Sequence, residues 1–178
     1  LGRFGIVVLS ALLLRIFIYK PSEEKRILLY GHKLNSNLKG IYDYAQINKD
    51  ERVNIQFLTL DQEYFYSLQA QGIDVVCATH FATALILAKA DCIVSDHGLH
   101  FLVLFLKFSN IKFVDVWHGI AFKGFDGDDF KIQHQYDEVW VTSKRHKQIY
   151  VDQYGFDPNI VKITGYARTD ILINQNID

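Results

Sequence analysis

From Arg26 onward, seven short apolar runs rich in Val, Ile, Leu and Phe alternate with segments of helical length, and this alternation constrains the fold more than any other feature. The predicted strands are residues 27–30, 54–60, 74–78, 92–95, 112–117, 138–142 and 161–164. They are almost continuously apolar, as strands covered on both faces must be, rather than alternating apolar with polar. Helical stretches are predicted between them at residues 38–47, 62–71, 82–89 and 144–154. Strand–helix alternation of this kind predicts one α/β domain over residues 26–175: a Rossmann-like parallel sheet with helices on both faces. Both prolines, Pro21 and Pro158, fall in predicted connections, where a missing amide N–H costs no ladder bond.

The first twenty residues follow a different rule. Phe4 to Tyr19 is apolar apart from Ser10 and Arg15, and Arg3, Lys20, Lys25 and Arg26 flank it. A spanning helix needs about 20 apolar residues, and this run is shorter with a cation inside it. Tyr19-Lys20-Pro21 is no signal-peptide cleavage site, which requires small residues. The expectation is an apolar, membrane-associated helix over residues 1–20 whose cations meet anionic headgroups. The alternative is a helix buried against the core or a partner. Pro21 and the polar residues 22–25 then form a hinge.

Composition removes several classes of function. A formal net charge of −1 leaves no broad basic face for nucleic acid, so no nucleic-acid partner is expected. Two cysteines, Cys77 and Cys92, both in apolar runs, make no disulfide framework and read as reduced core residues of a cytosol-facing protein. With 49% hydrophobic and 14% aromatic residues the chain is a packed domain, not a disordered segment. It contains no methionine, which raises the expectation of a processed product or a piece of a longer reading frame.

Ligands of open parallel sheets bind beyond the carboxyl ends of the strands, so chemistry is expected in the turns that follow them. Four such turns carry suitable residues: Gly31-His32, Asp96-His97-Gly98, His118-Gly119, and Gly165 with residues 166–170. In the third, an imidazole stands at a strand terminus, Gly119 admits a close ligand, and Lys123 follows five residues after the histidine. His118 there suits general-base work because imidazole titrates near neutral pH, and Lys123 suits a phosphate. The competing reading is a buried His118 bonded to a carbonyl and a solvated Lys123.

In the fourth turn Arg168 offers a fork to a phosphate or carboxylate at a helix start, with Asp170 as orienting partner. A purely structural Arg–Asp pair explains the same spacing. Asp96 and His97 would line the cleft. Asp96, His97 and His100 also have spacing compatible with a metal, but no closing ligand is evident and none is expected. The Asn35-Ser36-Asn37 stretch reads as a helix cap. Neither a Gly-x-Gly-x-x-Gly fingerprint nor a P-loop is present, so no dinucleotide or ATP cofactor is expected.

Three of these motifs together carry a family resemblance. Residues 116–123 (Val-Trp-His-Gly-Ile-Ala-Phe-Lys), 139–143 (Val-Trp-Val-Thr-Ser) and 165–170 (Gly-Tyr-Ala-Arg-Thr-Asp) resemble the CDP-glycerol glycerophosphotransferases, the teichoic-acid primases and polymerases. That family's pattern runs W-H-G-x-P-x-K, V-T-S, then G-Y-P-R-x-D, and residues 93–96 also fit. Ala121 and Ala167 depart from it, standing where the family usually has proline.

The resemblance implies a GT-B architecture of which this chain supplies the N-terminal, acceptor-side domain. A second domain, with most of the nucleotide site, has no counterpart here, which leaves a further domain or self-association as the expected partner. It also implies transfer of glycerol phosphate from CDP-glycerol to a lipid-linked glycerol-phosphate acceptor, with release of CMP, at the cytoplasmic face of a bacterial membrane. His118 would be the base, Lys123 and Arg168 would neutralise charge, and Gly119, Asp170, Asp96 and His97 would contact substrate. The alternatives are a non-catalytic acceptor-binding module and another GT-B nucleotide-sugar or polyol transferase.

Overall fold

The computed structural model describes residues 2–117, 119, 125–170 and 172. Seven strands, β1 (Lys25–Tyr30), β2 (Val53–Thr59), β3 (Val75–Cys77), β4 (Cys92–Ser95), β5 (Lys112–Asp115), β6 (Glu138–Val141) and β7 (Val161–Ile163), form one sheet. Every pairing is parallel, in the order β3-β2-β1-β4-β5-β6-β7. All seven predicted strands are present, with ends within two residues of those predicted.

Parallel neighbours cannot be joined by tight hairpins, so helices must cross the sheet between them. Five do so: α2 (Ser36–Asn48), α3 (Gln62–Ala70), α4 (Thr83–Lys89), α5 (Val103–Phe108) and α6 (Lys144–Asp152), with α1 (Gly2–Ile18) ahead of the sheet. Local chemistry sets their starts. Asp61 accepts the Tyr64 N–H at 3.0 Å to open α3, and Ser143 accepts the His146 N–H at 3.2 Å to open α6.

The sheet's alternation sorts its side chains into two layers. Leu28, Tyr30, Ile93 and Phe113 point into a core shared with α1, α4 and α5. Their neighbours Leu29, Val94 and Val114 join Phe57 beneath α2, with Leu38 and Tyr42 of that helix. A third cluster, including Phe130, Val139, Tyr150, Phe156 and Val161, packs α6 against the β6–β7 end. The strand order reverses between β1 and β4, the switch point at which open α/β sheets leave a crevice.

The expectation for residues 1–20 needs correction at its inward face. Phe4, Val7, Val8 and Ala11 of α1 are fully buried in the same core as Leu28 and Ile93. Burying Phe4, Val7 and Val8 contributes on the order of 5–9 kcal/mol, so the helix belongs to the domain and is not hinged away from it. Arg15 does not meet headgroups. Its guanidinium is buried and donates to the carbonyls of Ala88 (3.0 Å) and Ala90 (2.7 Å), closing the C-terminus of α4, and to Asn110 Oδ1 (2.7 Å). Among the described residues no helix is long and apolar enough to cross a membrane. The outward face of α1 still exposes Ile6, Leu9, Leu13, Ile16 and Phe17.

Candidate functional site

Two corners form at the carboxyl edge of the sheet. The first lies at the switch point, where Gly31 and His32 follow β1 and Asp96 and His97 follow β4. Asp96 is buried, and its Oδ1 lies 2.6 Å from Nδ1 of the half-buried His97. Gly31 has to lack a side chain here: a Cβ would stand 2.8 Å from Asp96 Oδ1 and 2.6 Å from Leu38 Cδ1. The His32 ring meets those of His97 and His100 edge-on, at 5.0 and 5.9 Å between centroids. His100 Nδ1 is in turn 2.8 Å from the Tyr30 hydroxyl. Of the side chains considered for a metal, Asp96 and His97 thus bond one another while His100 bonds Tyr30.

The second corner joins the turns after β5 and β7. Trp117 and Gly119 are half-buried at the end of β5; His118 and Lys123, the expected base and cation, lie outside the described residues. Among the described residues a Cβ on Gly119 would meet nothing within 4 Å. Gly165, at φ +84°, turns the chain out of β7 into a 3-10 turn, Ala167–Thr169, a left-handed bend that favours glycine. Arg168 is exposed; its guanidinium donates to Ser36 Oγ at 3.4 Å and lies over the Tyr166 ring at 5.0 Å. Asp170 is exposed and, with Arg168, Ser36, Gly40 and Tyr44, lines an open groove of about 500 Å³ between that turn and α2.

Two residues that sequence reasoning did not single out join these turns. Asn37, buried in the first turn of α2, donates through Nδ2 to the carbonyls of Val116 (2.8 Å) and Trp117 (2.9 Å). Its Oδ1 accepts the Arg168 backbone N–H at 3.3 Å. Tyr166 donates its hydroxyl to the Gly119 carbonyl. Burial pushes the Tyr166 phenol up to about 12, against the pull of Arg168, so the donor keeps its proton near neutral pH. Asn37 was read as part of a cap. The only available signal was an amide placed just after a strand end and just inside a helix.

Between the corners stands Asp115, the last residue of β5, paired in register with Ser95. It is buried, and its Oδ2 has no hydrogen-bond partner among the described residues. Burial pushes its carboxyl up to about 7; the negative charge of Asp96 adds to this, and the Trp117 backbone N–H opposes it.

Solved structures share this fold. The wall teichoic acid polymerase TagF superposes at a TM-score of 0.67 with 16% identity, covering 92% of this chain and 44% of its own. A TagF variant solved after soaking with CDPG gives 0.64 and 14%, covering 93% of this chain and 46% of its own. A glycosyltransferase from Rickettsia africae ESF-5 gives 0.58 and 13%, covering 81% and 43%. The chain therefore spans less than half the length of these proteins. No curated protein sequence matches it. The sequence pattern of the CDP-glycerol:poly(glycerophosphate) glycerophosphotransferases, however, matches residues 12–178, a stretch that includes all seven strands and both corners. The chain belongs to that family.

Proposed function

We propose that this chain forms the acceptor-side part of a transferase that moves glycerol phosphate from CDP-glycerol to a lipid-linked glycerol-phosphate chain in teichoic-acid synthesis. The acceptor hydroxyl gives its proton to His118, its oxygen bonds to the β-phosphorus of CDP-glycerol, and the bond from that phosphorus to the CMP oxygen breaks. Such a transition state is loose, so positioning and charge neutralisation supply most of the rate. Lys123 and Arg168 serve the second purpose. Gly119 leaves room for the reacting phosphate, Asp170 borders the groove beside Arg168, and Asp96 and His97 line the far side of the cleft.

One observation carries this reading: the turn holding Trp117 and Gly119 is bonded directly to the turn holding Arg168, through Asn37 and Tyr166. Two of the three family motifs thereby come together. The test is CMP release from CDP-glycerol with a glycerol-phosphate-primed lipid. We expect turnover that falls by a factor of about 10²–10⁴ in His118→Ala, the usual share of a general base. Equal release by the variant sinks the reading. Acceptor binding without release, in a folded chain, favours an acceptor-binding module instead.

The lipid-linked acceptor suggests a place for the chain at a membrane surface. Ile6, Leu9, Leu13, Ile16 and Phe17 form one exposed stripe along α1, and Arg3, Lys20 and Lys107 are exposed around it. An apolar stripe with a cationic rim suits anionic headgroups, the helix lying flat while its other face stays in the core. Leu13→Asp with Phe17→Asp alters only that outer face. The pair is expected to abolish flotation with phosphatidylglycerol vesicles while the melting temperature holds; undiminished flotation refutes the membrane face.

A further inference from the structure

We infer that Asn37 is a positioning residue, whose side chain locks the turn of Trp117 and Gly119 to the turn of Arg168 so that the two are held as one unit. Its consequence for turnover rests on the proposed transferase function; its consequence for loop geometry does not. The amide is buried and makes three bonds, two given and one received, to backbone groups 79, 80 and 131 residues away in the chain. No other side chain of this size can make that set. An aspartate would set its charge against two carbonyls, and a leucine would leave two carbonyls and an amide N–H without this partner.

A second feature presses the same parts together. A Cβ on Gly40, one helical turn after Asn37, would stand 2.7 Å from both the carbonyl carbon and oxygen of Ala167, so α2 lies directly on the Arg168 turn. The first turn of α2 is thus the fixed point from which both motif turns are hung. Asn37 reaches the carbonyls on the N-terminal side of His118 and the amide of Arg168 itself. It touches no reacting atom in this arrangement. What it sets is the distance between the backbone of the Trp117 turn and that of the Arg168 turn, and on the proposed reading such distances must hold to about 0.5 Å for efficient turnover.

The test uses the full chain in a Trp140→Phe background, which leaves Trp117 as the only tryptophan. Asn37→Ala and Asn37→Asp are compared with the unaltered residue for folding, acrylamide quenching of Trp117 and CMP release. In folded variants, quenching of Trp117 is expected to rise about twofold, and kcat to fall on the order of 100-fold with KM for CDP-glycerol nearly constant, as a misplaced reactive group dictates. A residue that only stabilised the fold would lower the melting temperature and leave quenching, kcat and KM of the folded molecules unchanged; that result overturns the inference. If both variants fail to fold, Asn37→Gln decides, because it keeps the amide but moves it by a methylene: unchanged quenching overturns the clamp, raised quenching upholds it. Raised quenching in a chain whose parent releases no CMP upholds the clamp and counts against the transferase reading alone.

Discussion

At the β1–β4 corner, side chains with reactive chemistry bond one another: Asp96 to His97, Tyr30 to His100, with His32 packed between the two histidines. At the β5–β7 corner, buried side chains instead hold backbone: Asn37 and Tyr166 bind the carbonyls and amide of the two motif turns. The first corner contains more titratable groups, and among the described residues its side chains leave little space between them. The second contains fewer, and its Arg168 turn borders, with α2, a groove of about 500 Å³. On the proposed reading, a concentration of histidines and carboxylates is a poorer guide to a site than backbone held beside a groove. Preorganised turns can offer groups to a ligand without first breaking internal bonds.

The two glycines that permit these corners offer the sharpest way to break the comparison. Gly40 lies inside α2, where replacement by alanine ordinarily gains about 1 kcal/mol. Here the new Cβ would press on the Ala167 backbone at 2.7 Å, which cannot rotate away. Gly40→Ala is expected to lose about 2–3 kcal/mol net, through overpacking, and to cut CMP release more than the loss of folded protein explains. Gly31→Ala meets the tip of Leu38, which can move, and Asp96 Oδ1. Its expected cost is smaller, about 1 kcal/mol, with little effect on turnover. Denaturant midpoints and activity per folded molecule check both. A Gly31 variant that damaged turnover more than the Gly40 variant would reverse the assignment of the working corner.

Much of the frame could be read without coordinates. Seven mostly apolar runs alternating with helical segments point to a covered parallel sheet, and such a sheet puts ligands at the turns after its strands; the choice of Asp96, Gly119 and Arg168 as candidates follows from that logic. Asn37 did not, because its partners are brought to it only by the parallel crossovers, and local pattern reports only on near neighbours. Asn35, two residues earlier, does precede the helix as its cap position, but makes no side-chain cap bond. Arg15 was misjudged for a related reason. A cation in an apolar run suggests a headgroup until the exposed carbonyls at the end of α4, more than seventy residues away, are known to need a donor. α5 was not foreseen at all. Val103–Phe108 is too short for helical periodicity to stand out from apolarity.

Asp115 links the corners, since it ends the strand between them and feels the charge of Asp96. Its carboxyl titrates near 7 in the folded chain, against about 3.9 for an unperturbed aspartate. Below about pH 4 both states hold the proton and no difference arises. Between there and pH 7 the unfolded chain has released a proton that the folded chain retains, so stability falls as pH rises, and it levels off once the folded group has ionised. Asp115→Asn removes this dependence and keeps an acceptor for the Trp117 N–H. Relative to the parent chain, the variant is expected to gain about 2–3 kcal/mol between pH 5 and pH 8, read from denaturant midpoints at the two values. Adding Asp96→Asn to the parent should shift the parent's stability drop toward lower pH, because one source of the raised value is gone. If Asp96→Asn leaves the drop where it was, burial alone holds the proton on Asp115 and the two corners are electrostatically independent.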